Sequence, residues 1–140
     1  MFAEFEQKAH EMAATGESLT SQSLCSIYKK LNEDYFGPDT VIDPEIQYEW
    51  ERIPHFYTPF YVYQYATGYS AAIAISRKIL SGDEKAKEGY FKFLSGGSSM
   101  NPIELLRLCD VDMATKEPVE SALKLFGELL DEMEEILKTQ

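Results

Sequence analysis

The chain is short of positive charge, of histidine and of cysteine, and each shortage closes off a class of function. Thirteen Lys and Arg stand against 24 Asp and Glu, a net charge of −11. A protein that binds nucleic acid by neutralising phosphates, or that lies on an anionic membrane, needs the opposite balance. Long apolar runs are missing too. The longest clearly apolar stretch, residues 70–75, is far below the roughly 20 residues a membrane-spanning helix needs. The N-terminus lacks a basic-then-apolar leader pattern, so a cytoplasmic location is expected. The two cysteines, Cys25 and Cys109, are distant in sequence and outside any CxxC pair. Each sits in an apolar-periodic segment and is expected to be a reduced, buried thiol acting as a small hydrophobe.

With only two histidines, His10 and His55, metal chemistry has little to work with. His10-Glu11 opens like HExxH, but the position four residues after His10 is Ala14. The second imidazole that the motif places on the same helix face is absent. A self-contained zinc site would need two or more carboxylates beside His55, and none is expected. The segment Ser95-Gly96-Gly97-Ser98-Ser99 is followed by no Lys-Ser or Lys-Thr, and there is no GxGxxG. It reads either as a flexible helix connection or as a loop whose backbone approaches a ligand. The acidic cluster Glu128, Asp131, Glu132, Glu134 and Glu135 lacks the ligand spacing of a calcium loop and reads as the solvated face of a helix.

What is present suits one folded domain: 140 residues, 44 % hydrophobic and 13 % aromatic. Apolar residues recur at intervals of three and four over residues 2–14, and Gly16 ends that helix. A second helix starts at Ser18 or Thr20 and stops at Gly37-Pro38. Pro44-Glu45 restarts a helix through Ile46, Trp50 and Ile53, which Pro54 stops. Thr58-Pro59 resembles an N-cap followed by Pro at the first helical position, which predicts a long helix to about Leu80. Asp83 caps a short helix, Asn101-Pro102 starts another, and residues 118–138 carry Leu123, Phe126, Leu130, Met133 and Leu137 at helical spacing. The fold class predicted is all-α, with about six or seven helices.

Residues 54–70 concentrate the chemistry: one of the two histidines and five of the nine tyrosines fall within this segment. A purely structural core uses Leu, Ile and Phe at lower cost. Each buried phenol must find a hydrogen-bond partner or lose roughly 1–3 kcal/mol. On a helix, Tyr61, Tyr65 and Tyr69 share one side and Tyr63 points opposite, so the phenols cannot all serve one site. Packing and a polar ligand site both remain open from composition alone.

Ile53-Pro54-His55-Phe56-Tyr57, followed by Phe60-Tyr61-Val62-Tyr63-Gln64-Tyr65-Ala66-Thr67-Gly68, resembles the C-terminal part of oligoendopeptidase F, a zinc metallopeptidase related to thimet oligopeptidase. Met1-Phe2-Ala3-Glu4-Phe5-Glu6, Tyr35-Phe36-Gly37-Pro38, Gly96-Gly97-Ser98, Asn101-Pro102-Ile103-Glu104-Leu105-Leu106 and Val111-Asp112-Met113 are similar to the same family in the same order. The resemblance covers essentially the whole chain. It implies a helical fold around a channel in which short peptides are cut by a zinc-activated water. The zinc ligands it implies, two histidines of HExxH and a Glu, precede the segment that resembles Met1.

In that resemblance the chain supplies a substrate-binding and oxyanion-stabilising wall. His55 and Tyr63 are the expected catalytic groups, with Tyr63 as oxyanion donor; Tyr57, Tyr61, Gly96 and Gly97 are expected to bind substrate. Short peptides are the expected partners. The zinc-bearing N-terminal half, or a second copy of the chain, is expected to cover its apolar surface. By itself the chain is expected to bind no zinc and to be inactive. The alternative is a non-catalytic peptide-binding or helical interaction module using the same tyrosines.

Overall fold

The computed structural model describes residues 1–139. It contains six α-helices and two 3-10 helices, and no strand among the described residues, in agreement with the all-α expectation. Two compact units are distinguishable, Met1–Tyr65 and a second that begins at Ala66.

The first unit is built on α1, Phe2–Ala14, and α2, Ser21–Phe36. Thr20 caps α2: its hydroxyl accepts from the Ser23 N–H at 3.1 Å while the Ser23 hydroxyl accepts from the Thr20 N–H at 3.0 Å. Two of the donors a helix start leaves unpaired are thereby satisfied. Phe5, Tyr28 and Leu31 form the buried core, with Ile46, Trp50 and Phe56 packed against it. The Phe5 ring meets Tyr28 edge-on at 5.2 Å and Phe56 at 4.9 Å. Tyr28 is fully buried, and its hydroxyl donates to Glu49 Oε2 at 2.7 Å. The Trp50 indole N–H donates to the Cys25 thiol at 3.4 Å. Cys25 and Cys109 are both free and buried, as their apolar settings predict.

Two elements differ from the sequence reading. The segment after Asp43 is a pair of 3-10 helices, Pro44–Arg52 and Pro54–Tyr57, where an α-helix and a connection were expected. Asp43 accepts from the Glu45 N–H and Pro44 stands at the first helical position, so the start signals hold. Over nine residues, apolar spacing does not distinguish the two helix types, and packing decides. The long helix α3, Tyr63–Leu80, begins four residues after Pro59. Phe60 has a φ of 56°, a left-handed conformation that a right-handed helix cannot include and that costs an L residue about 1–2 kcal/mol.

The second unit contains α3 from Ala66 onward, α4 (Glu84–Gly96), α5 (Pro102–Arg107) and α6 (Glu117–Lys138). Ala71, Ala74 and Ile75 of α3 pack with Cys109 and Val111, which follow α5. Asp110 lies between those two buried residues with a φ of 58°. Lys78 donates to its carboxylate at 2.7 Å, which holds the Asp110 carboxyl below its ordinary range. Asn101 and Glu104 form a reciprocal cap on α5. The apolar stripe of α6 is exposed along Leu123, Phe126, Leu130, Met133 and Leu137, so periodicity locates the stripe but not what covers it. No helix among the described residues is long and apolar enough to cross a membrane.

Gly89 of α4 faces the backbone carbonyl of Leu108 so closely that a Cβ would collide with it. Ala is the better helix former by about 1 kcal/mol, but overpacking against a rigid backbone costs about 1–3 kcal/mol or more. Gly89→Ala is therefore expected to lower the melting temperature. Gly127→Ala, at a position with nothing within 4 Å, is expected to raise it or leave it unchanged. Burial, and then the Glu49 carboxylate, push the Tyr28 phenol well above its ordinary value. The folded state thus favours the neutral phenol. That contribution is complete below the unfolded value of about 10 and is lost as pH rises toward the folded one. Urea midpoints measured from pH 8 to 11 are expected to fall more steeply above pH 10 for the native chain than for Tyr28→Phe.

Candidate functional site

The 3-10 turn Pro54–Tyr57 places His55 next to the aromatic core of the first unit. Pro54 opens the turn, and the Thr58 N–H closes it on the His55 carbonyl at 3.1 Å. Phe56 is anchored against Phe5 and Phe2, at 4.9 and 5.8 Å. With its neighbour fixed in the core, His55 is held half-buried on the adjoining face.

Three rings meet there. Tyr61 stacks on the His55 imidazole at 5.4 Å with planes 13° apart. Tyr65 stands edge-on to both, at 5.5 Å from His55 and 5.6 Å from Tyr61. The Tyr65 hydroxyl and His55 Nε2 lie 3.1 Å apart. The phenol donates when Nε2 is bare and accepts when Nε2 carries a proton. A side-chain hydrogen bond with Tyr61, together with partial desolvation, raises the Tyr65 pKa above its ordinary value. Tyr65 is therefore a neutral hydroxyl across the physiological range, able to donate without bringing charge into the site.

The residues singled out from sequence are not all at this cluster. Tyr61 is part of it. The Tyr57 side chain is 70 % exposed, and its hydroxyl donates to the Glu51 carbonyl at 2.9 Å, tying the two 3-10 helices together. Tyr57 also borders a cavity of about 300 Å³ lined by Phe5, Glu6, His10, Trp50 and Phe56. Tyr63 is 48 % exposed at the first position of α3, and its hydroxyl has no hydrogen-bond partner among the described residues. Tyr65, which was not singled out, is the phenol that reaches the imidazole. Its signal was the four-residue spacing from Tyr61.

Gly96 and Gly97 lie in the second unit, and the structure gives each a local duty. Gly96 is the last residue of α4, and the Leu105 side chain occupies the space a Cβ would need. Gly97 caps the helix at a φ of 51°, with open space around it; that conformation favours glycine. The described residues include no group of three or more His, Cys, Asp or Glu that could hold a metal ion.

Residues 1–125 match Peptidase family M3. Oligopeptidase PepF of Bacillus subtilis (strain 168) is 55 % identical over 137 residues, which are 98 % of this chain and 20 % of that protein. The chromosomal oligoendopeptidase F of Lactococcus lactis subsp. cremoris is 47 % identical over 98 % of this chain and 23 % of its own length. The crystal structure of oligoendopeptidase-F from Enterococcus faecium superposes with a TM-score of 0.93 at 44 % identity, covering 99 % of this chain and 27 % of that one. The chain thus spans about a fifth to a quarter of the length of these relatives. It belongs to Peptidase family M3.

Proposed function

We propose that this chain is the substrate-binding and oxyanion-stabilising wall of an oligoendopeptidase that hydrolyses short peptides. The observation that carries the reading is the meeting of His55, Tyr61 and Tyr65 around a 3.1 Å contact between the Tyr65 hydroxyl and the imidazole. Peptide hydrolysis passes through a tetrahedral intermediate with a negative oxygen, and removing one preorganised donor to it typically costs about 2.7–4 kcal/mol. A phenol held neutral beside an imidazole is suited to that task. In this reading His55 and a tyrosine hydroxyl donate to the oxyanion. Tyr65 joins Tyr63 as a candidate donor, because Tyr63 is exposed with an uncommitted hydroxyl while Tyr65 already stands at the imidazole. Tyr57 and Tyr61 line the wall in this reading; of the two glycines, Gly97 alone has open space around its backbone.

The zinc that the family implies supplies a polarised water as nucleophile. The described residues do not fit it, since they bring together no three potential ligands. The contribution we assign to this chain is to bind peptide and hydrogen-bond its oxyanion. A zinc-bearing half, or a second copy of the chain, would cover the exposed stripe of α6 in the same reading. A cytoplasmic location accords with an enzyme of short peptides.

Calorimetric titration of an unlabelled oligopeptide into the 140-residue chain tests the wall. Micromolar binding is expected, weakened about threefold to tenfold by Tyr61→Phe or Tyr65→Phe if each phenol contributes one ordinary hydrogen bond. No cleavage is expected, with or without added zinc. Absence of heat, heat indifferent to both substitutions, or chelator-sensitive cleavage by the pure chain would overturn the assignment.

A further inference from the structure

We infer that Glu6 is a positioning residue for the His55, Tyr61 and Tyr65 cluster: its buried carboxylate holds Phe60 in a left-handed turn, and that turn sets where the tyrosines stand. Glu6 is on α1, only 4 % exposed, and its Oε1 accepts from the Phe60 N–H at 2.8 Å, a contact between residues 54 apart in sequence. One helical turn further along α1, His10 stacks on the Phe60 ring at 4.3 Å with planes 25° apart. A single face of α1 thus grips Phe60 by both backbone and side chain.

The grip selects between two courses of the chain. Thr58-Pro59 is a helix-start signal, and in a helix begun there the Thr58 side chain would accept the N–H of Phe60 or Tyr61. In the structure Glu6 accepts from the Phe60 N–H instead. A buried side-chain oxygen loses more without a hydrogen-bond partner than the exposed Thr58 hydroxyl, which water can satisfy. Phe60 then adopts a φ of 56°, which an aromatic L residue keeps only when its surroundings impose it. The chain turns at Phe60, α3 waits until Tyr63, and Tyr61 comes to lie flat on His55. The consequence for catalysis rests on the proposed substrate wall; the control of His55 packing by Glu6 does not.

The two histidines make the test direct, because NMR of the 140-residue chain resolves two imidazoles. Stacking on Tyr61 is expected to displace the His55 ring protons upfield of a free imidazole. Glu6→Ala is expected to abolish most of that displacement. Glu6→Gln, which keeps a carbonyl oxygen for the Phe60 N–H, is expected to retain most of it. Phe60→Gly added to Glu6→Ala is expected to restore it, since glycine adopts the left-handed conformation unaided. The inference fails if the His55 displacement survives Glu6→Ala with helix content intact, or if Gln and Ala behave alike. Should Glu6→Ala lose helix content by circular dichroism, the added Phe60→Gly decides. Recovery of both fold and His55 displacement supports the inference; recovery of fold alone, or of neither, overturns it. Peptide binding is not part of this readout. Loss of peptide heat with the Glu6 dependence intact would sink the substrate wall and leave the positioning role standing.

Discussion

The hydrogen bond from the Phe60 N–H to the buried Glu6 carboxylate is the constraint on which the candidate site depends. It joins the first helix to the turn that carries the tyrosines, and it is adjacent in sequence to the residue that organises the core. Phe5 packs against Tyr28, Trp50 and Phe56, while Glu6 beside it reaches Phe60. One turn of α1 therefore anchors both sides of His55: Phe56 through the core, and Tyr61 through the turn. A polar group buried this deeply is costly unless it is hydrogen-bonded. The bond to a backbone N–H that a left-handed residue presents meets that requirement.

The same economy governs the phenols. Tyr28 is the tyrosine that the core fully encloses, and it carries its own carboxylate partner in Glu49. Tyr57 is mostly exposed yet spends its hydroxyl on the Glu51 carbonyl. Tyr65 brings its hydroxyl to an imidazole, and the Tyr61 ring lies against both. At the cluster the Tyr65 hydroxyl serves neither the core nor a turn. In the second unit, by contrast, the apolar stripe of α6 lies open.

Most of the fold was legible in sequence because its signals are local. The caps at Thr20, Asp83 and Asn101 and the start at Pro44 stand where local chemistry places them, and the three-and-four spacing located α1, α2 and α6. The start of α3 was not legible. Thr58-Pro59 carries a strong local signal, and a carboxylate 54 residues away overrides it. The site was half legible. His55 and Tyr61 were singled out from residue type and family resemblance and Tyr65 was not, because which phenol reaches the imidazole depends on the course of the chain through Phe60.

The amino-acid sequence by itself determined the all-helical class, the two buried thiols and the shortage of metal ligands, since composition and short-range spacing suffice for these. It also carried the kinship with Peptidase family M3. Only the tertiary structure decided which tyrosines meet His55. Ring-to-ring geometry depends on a left-handed turn at Phe60, and that turn persists because a residue from a distant helix holds it.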